Sequence, residues 1–514
     1  MQTTCPQCGG RTYQQYTKRR TIVTLEGVIG LHLKVRVCQT PSCPRYHKAY
    51  RPEAEGRYVL PQHEMGLDMI AQIGAWRYRE HRSVPEMHAA LRALELPISQ
   101  RTVTNLLDRY DELVALTVFD RERLRRVTKA QGQVILALDG LQPDVGHEVL
   151  WVLRDCLSGE VLLTRSLLSA TEADLVPLLE EVRDVLEVPI AAVVSDGQLS
   201  IRKAVARALP DIPHQLCHFH YLREAATPVF AADRHAKKEL KKRVRGIRPI
   251  EWSVEERDDA AAALVRGYSV AVRSALSDDG VPPLDAPGLR LHKRLTKIVA
   301  SVQRVEEKGA GSRELVKIKQ LLERALAETA ALWEPIRRAY RWIHAAAHVL
   351  ANAEEQPATE VRQAFVRILR SIGVTKRHCG ELEAALTHFL KVTRSYQAGL
   401  FHCYADPAIP RTNNDLEHCF GQHRHHERRA TGRKVGSPST VLHGSVRLVA
   451  GVATRLRPFT PTELAPGDIG CWQQMRKTIR QRFALRAQGC RFRRDPDTYL
   501  AQLEETYFRL ALPV

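Results

Sequence analysis

The amino-acid sequence predicts a multidomain protein in which an α/β core is interrupted by an all-α insertion and preceded by a small cysteine-rich segment and a helical region. Three observations predict it. Two apolar runs, 133–140 (Gln-Val-Ile-Leu-Ala-Leu-Asp-Gly) and 190–197 (Ile-Ala-Ala-Val-Val-Ser-Asp-Gly), read as buried strands that both end in Asp-Gly. More than two hundred residues separate Asp196 from Glu417, and most of them carry the spacing of long amphipathic helices. Four of the eleven cysteines fall within the first 43 residues, in two close pairs.

Residues 1–60 hold those pairs, Cys5-Pro-Gln-Cys8 and Cys38-Gln-Thr-Pro-Ser-Cys43, on either side of a β-patterned stretch at 21–37. Each pair has the spacing to chelate from one turn, and so short a segment cannot build a core of its own. The expectation is a zinc ribbon with Cys5, Cys8, Cys38 and Cys43 around one structural Zn²⁺. The second pair is wider than the usual gap, which leaves His47 as a substitute for Cys43. An odd, uneven cysteine count excludes a disulfide framework.

Residues 61–128 are helical in pattern. Ser83-Val-Pro-Glu86 is a capping signature for a helix reaching about Leu94. A short turn follows, and a second helix opens with Gln100, Arg101, Thr104 and Asn105, side chains suited to base edges and phosphates in a major groove. A helix-turn-helix is one reading; an ordinary helical hairpin with a polar second helix is the other.

Residues 129–225 form the first part of the core. After the Asp139 strand come 148–156 and 160–168, separated by Leu-Ser-Gly as in a hairpin, then a helical stripe over 171–187. The Asp196 strand, a helix at about 199–209 and a strand at 213–219 complete the order β-β-β-α-β-α-β. A carboxylate in a buried strand is tolerated at the strand's end, where it reaches water, a partner or a metal. Asp-Gly is also a common turn dipeptide, so neither aspartate is informative alone.

Residues 226–400 read as the all-α insertion, with Leu315, Ile318, Leu322, Ala325 and Leu326 on one face of a helix over 311–330. The basic run from Lys237 to Arg248 reads first as a solvated helix face and second as a phosphate contact. Residues 401–514 return to the core and end in a basic tail. Asp415 and Glu417 lie two apart on a helix capped near Asn413, so only one of them can face the aspartates. His423, His425 and His426 read as solvated or phosphate-facing, followed by Arg428 and Arg429. Residues 476–494, with Arg476, Lys477 and Arg480 among eight cations, contain no acid.

This order, with one carboxylate on the first strand and one after the fourth, resembles the RNase H-like core of DDE transposases and integrases. Asn413-Asn414-Asp415-Leu416-Glu417 looks like that family's third acid, which lies beyond an insertion. Cys217-His218-Phe219-His220 resembles the Cys-x-x-His of the mutator and hAT-like insertion-sequence transposases. The resemblance covers roughly 130–225 and 405–435. It implies a Mg²⁺-dependent DNA transposase, with Asp139 bridging two ions and Asp196 and Glu417 each holding one. Glu417 is favoured over Asp415 by the Asn-Asn-x-x-Glu pattern, and Cys217 and His220 take a structural role.

A formal charge of +19 and a pI near 9.6 suit an acidic polymer, with double-stranded DNA as the expected partner of a dimer or larger assembly. No signal segment and no apolar run of about 18 residues is present, so the expectation is a cytoplasmic protein without a membrane partner. Two alternatives share these features: an inactive transposase-derived DNA-binding protein, and an RNase H-like nuclease without strand transfer.

Overall fold

The computed structural model describes residues 3–50, 53–142, 148–309, 311–433 and 438–511. It is a mixed α/β, mostly helical chain that divides into two compact units. The first comprises Met1–Val193, Ser200–Ile212 and Asn414–Val514; the second comprises Val194–Leu199 and Pro213–Asn413.

The first unit opens with a long antiparallel hairpin of β1 (Thr12–Thr24) and β2 (Gly27–Cys38), to which β3 (Ala49–Tyr50) adds a short edge. Its exposed side chains fall mainly on β1 and near the tip, while Leu33, Val35 and Val37 of β2 are buried. Its tip is anchored, with Leu25 N–H donating to the Asp68 carboxylate at 2.7 Å and Val23 N–H to the Glu64 carbonyl at 2.8 Å. Four helices follow: α1 (Leu67–Arg79), α2 (Val84–Ala93), α3 (Gln100–Val118) and α4 (Arg121–Gln131). The Ser83/Glu86 capping box starts α2, and the Ser99 hydroxyl caps α3.

Next come β4 (Val134–Leu141), β5 (Val149–Asp155), β6 (Val161–Leu167), α5 (Glu172–Val185), β7 (Ile190–Ser195) and α6 (Leu199–Ala208). The strands lie in the order β6-β5-β4-β7, with β4, β5 and β6 antiparallel. Val134 N–H donates to the Pro189 carbonyl at 3.0 Å, so β7 starts beside the start of β4 and runs the same way. The pleat divides the side chains of β4 between two layers. Leu136 and Leu138 pack with Leu175, Leu179, Ile201 and Val205, while Ala137 and Leu141 pack with Ile70, Leu107, Leu416, Phe420 and Leu448.

The unit closes with α15 (Asn414–Thr431), α16 (Pro438–His443), α17 (Ser445–Leu456), α18 (Ile469–Arg494) and α19 (Pro496–Ala511), numbered after eight helices of the second unit. Because α1–α3 share one apolar core with β4, α15 and α17, the helical region expected over 61–128 is not a separate body.

In the second unit, β8 (His214–Leu216) lies beside the end of β7, with Cys217 N–H donating to the Ser195 carbonyl at 2.8 Å. The strand expected over 213–219 is this short because Cys217 already stands at the N-cap of α7 (His218–Arg243). That helix runs unbroken through the expected 225/226 boundary, and the unit extends to Asn413, past the expected boundary at 400. It continues through α8 (Ile247–Trp252), α9 (Ala260–Ser277), α10 (Pro287–Glu307), α11 (Arg313–Glu328), α12 (Ala330–Ala351), α13 (Ala358–Thr375) and α14 (Glu383–Tyr396). Their apolar stripes meet in one core that includes Leu291, Leu322, Trp333, Phe365 and Phe389. Lys237 departs from the expected solvated face: it is buried and paired with Asp279 at 2.6 Å. No described helix is long and apolar enough to cross a membrane.

Candidate functional site

The four N-terminal cysteines converge. Cys5 and Cys43 Sγ atoms are 3.9 Å apart, those of Cys8 and Cys38 are 3.6 Å apart, and all four lie within 4.8 Å of one another. Each pair comes from a tight turn: Cys5 N–H donates to the Gly10 carbonyl at 2.7 Å, and Cys43 N–H to Thr40 at 3.0 Å. Backbone N–H groups of Thr40 and Arg45 point at Cys38 and Cys43 Sγ, both at 3.4 Å. The Gly10 N–H, then the Thr40 hydroxyl, pull the Cys8 thiol down to about 6, towards the thiolate that a metal takes. His47 is exposed against Tyr46 and stands outside the cluster, so Cys43 is the fourth sulfur. This arrangement could hold a structural Zn²⁺. Metal analysis of the full chain purified without chelator should give about one zinc per chain, lost in Cys38→Ser. No zinc in the wild-type protein would remove the site.

Two of the three expected acids lie in the first unit and on facing elements. Asp139 has the parity of Ala137 and Leu141 on β4, the residues that pack against Leu416 and Phe420 of α15. Its carboxylate accepts from Gly140 N–H at 2.7 Å. A side chain at Gly140 would meet Val149 at 2.7 Å, which explains the glycine without a turn. On α15, Leu416 is buried, Glu417 half-buried and Asp415 exposed. The helix therefore turns Glu417 inward with its apolar neighbours and leaves Asp415 on the outside.

Asp196 follows β7 and belongs to the second unit. Its carboxylate accepts from Gln198 N–H at 2.9 Å, and its carbonyl accepts from the Tyr396 hydroxyl at 3.2 Å, which also donates to Glu224 at 2.6 Å. Gly197 has φ +86°, and a Cβ there would lie 2.5 Å from the Tyr396 ring, so the turn after Asp196 requires glycine on both counts. Cys217 is buried, and its Sγ accepts from Asn413 N–H at 3.4 Å. His220 is half-buried on the first turns of α7, and neither residue belongs to a three-ligand group among the described residues.

Gln100, Arg101, Thr104 and Asn105 are all exposed, on the face of α3 opposite buried Val103, Leu106 and Leu107. Arg428 and Arg429 are exposed on α15, and Arg429 approaches Glu86 at 3.6 Å. Lys477 and Arg480 are exposed on α18. Arg476 is partly occupied, its guanidinium lying 4.8 Å over the Trp472 ring and 3.8 Å from Glu112.

The histidine expectation is corrected. His423 and His426 are 2% and 0% exposed, because the buried stripe of α15 runs Leu416, Phe420, His423, Glu427, Ala430 at helical spacing. Burial pulls His423 down to about 4, so its ring is neutral at pH 7. Near them, and sharing Glu427 of the same helix, lies a buried polar network centred on Arg447, which the sequence did not reveal. Arg447 donates to Asp111 at 2.7 Å and to Asp108 at 3.2 Å; the Tyr78 hydroxyl donates to Asp111 at 2.5 Å; and Arg77 lies 3.7 Å from Glu427. Asp108, Asp111 and His443 have metal-compatible spacing, yet the guanidinium already supplies the positive charge there. No protein-family model and no curated protein matches the chain.

Proposed function

We propose that the protein is a DDE-type DNA transposase with an RNase H-like core, in which Asp139, Asp196 and Glu417 hold two Mg²⁺ ions. The observation that carries this reading is that Glu417, next to buried Leu416, is half-buried while Asp415 is exposed, on a helix that packs against β4, where Asp139 shares the parity of Ala137 and Leu141. The strand order β6-β5-β4-β7, with an acid on central β4 and another after β7, supports it. Three carboxylates are a hard-oxygen donor set that suits Mg²⁺ over softer ions. When bound, two such ions would stabilise the attacking and leaving oxygens of an in-line phosphoryl displacement.

The remaining roles fall to the chain's own cationic and polar surfaces. Gln100, Arg101, Thr104 and Asn105 on the exposed start of α3 would read base edges, and Lys477 and Arg480 on α18 would hold phosphates. Neutralising Lys477 and Arg480 together should weaken binding to every duplex alike and lower the salt slope by about one per lost contact. Changing Gln100 or Asn105 should instead alter preference among sequences. Unchanged affinity and salt dependence in the Lys477/Arg480 double variant would remove α18 from the interface.

The activity is tested with the purified full chain and a supercoiled plasmid carrying the segments that flank its coding sequence. A transposase gives Mg²⁺-dependent nicks at defined ends and joined products. Nicks without joining identify a nuclease, and binding without nicks identifies an inactive descendant.

A further inference from the structure

Where α1, α15 and α17 of the first unit meet, Tyr78, Arg79, His81, Gln422, His425 and Arg455 line a pocket of about 360 Å³. Among the described residues no carboxylate lines it. Both terminal nitrogens of Arg455 are inaccessible to solvent and have no hydrogen-bond partner among the described residues. A buried guanidinium without a counter-charge is costly, so its survival calls for an anion. Burial pulls the Arg455 pKa below the ordinary arginine value, as expected for a charge lacking its partner.

The surroundings strengthen this. Two acids close in sequence to the lining residues are already engaged: Glu80 pairs with Arg82 at 2.7 Å, and Glu427 lies 3.7 Å from Arg77 while accepting from Thr440 at 2.9 Å. His81 Nδ1 lies 2.9 Å from His426 Nδ1, which fixes the His81 ring at the pocket wall. Gly451 lets α17 approach α1 closely: a Cβ there would lie 3.3 Å from the Tyr78 ring and 3.5 Å from Arg455 Nη1. The pocket thus gathers two guanidiniums, two imidazoles and an amide around an open volume.

We propose that this pocket is an oxyanion site that takes a phosphate group, held by Arg79 with donors from His81, His425 and Gln422, while the Arg455 guanidinium behind the wall supplies positive charge. The phosphate could come from a nucleic-acid backbone or be free in solution; the chemistry of capture is the same, since guanidinium forks match phosphate oxygens. The inference goes beyond the transposase reading and does not rest on the three acids.

The test is thermal unfolding of the full chain in millimolar inorganic phosphate against chloride at matched ionic strength. Phosphate should raise the midpoint saturably in the wild type, as binding to the native state requires. That increment should vanish in Arg79→Ala and His425→Ala, exposed positions where folding is not at risk, and in Arg455→Met if that variant folds. A wild-type midpoint no higher in phosphate than in chloride, or an increment that survives in both surface variants, would overturn the site. Binding of a DNA duplex then separates the sources. A salt slope lowered by about one in Arg79→Ala identifies a backbone phosphate, and unchanged DNA binding with the phosphate increment lost identifies a free one.

Discussion

Replacing Asp139 or Asp196 by asparagine is expected to abolish Mg²⁺-dependent DNA cleavage while leaving DNA binding intact. The amide keeps the size of the carboxylate and its carbonyl oxygen, so the Gly140 and Gln198 N–H groups still find acceptors. What is lost is the anionic oxygen that a hard divalent ion requires. The loss should be on the order of a thousand-fold or more, as when an essential member of a catalytic unit is removed. Binding should survive because it depends on cationic surfaces on α3 and α18, and a site with one fewer negative charge repels phosphate less. Cleavage within ten-fold of wild type in either variant would exclude that aspartate from the metal set. Loss of cleavage together with loss of binding would mean the variant had damaged the fold.

The second large effect concerns stability. Arg447→Met should destabilise the protein by about 3–5 kcal/mol, because it leaves buried carboxylates without their cation. Asp111 is 0% exposed, and Asp108 is half-buried beside it; Arg447 bonds both, while Tyr78 completes the set on Asp111. Burial alone would lower the Arg447 pKa, but Asp111, Tyr78, Asp108 and Glu427 outweigh it and raise it above the ordinary value. A double variant with Asp111→Asn should recover part of the loss, since the unpaired charge is then removed. Denaturant unfolding reads both. A cost under about 1 kcal/mol for Arg447→Met would show that the network is not a stabilising centre. The consequence reaches function, because Asp108 and Asp111 stand on α3, two turns beyond the side chains proposed to read DNA. Arg447 ties that helix to α17.

How much of this was legible depended on whether a residue's role is written in its spacing. The cysteine pairs were legible because chelation from a turn needs a fixed short gap, and all four sulfurs meet. The strand end before Asp196 was legible because an apolar run ending in a carboxylate is a local pattern, whereas β4 continues past Asp139-Gly140 to Leu141, paired there with β5. Asp415 and Glu417 could be separated only in part, since helical geometry says that two residues apart diverge but not which one turns in. Leu416 and Phe420 contain the answer: the stripe they begin carries Glu417 half inward and Asp415 out.

The same stripe would have found the buried histidines. Continued by three and four residues from Phe420 it reaches His423, Glu427 and Ala430, but the polarity of these side chains masks the periodicity. The Arg447 network was not legible at all. Its members lie on α1, α3, α15 and α17, and each alone resembles a residue of a solvated face. Sequence separation also hid the shared core of α1–α3 with the sheet, since Leu107 and Leu416 join one core only after the chain has passed through the second unit.

The measurement that bears most directly on the proposed active site is the nicking rate of Glu417→Gln against Asp415→Asn in Mg²⁺, on the same plasmid and at equal DNA occupancy. Glu417 turns inward on α15 and Asp415 points to solvent. The account predicts nicking abolished in Glu417→Gln and largely retained in Asp415→Asn. Full nicking by Glu417→Gln, or loss confined to Asp415→Asn, would contradict it.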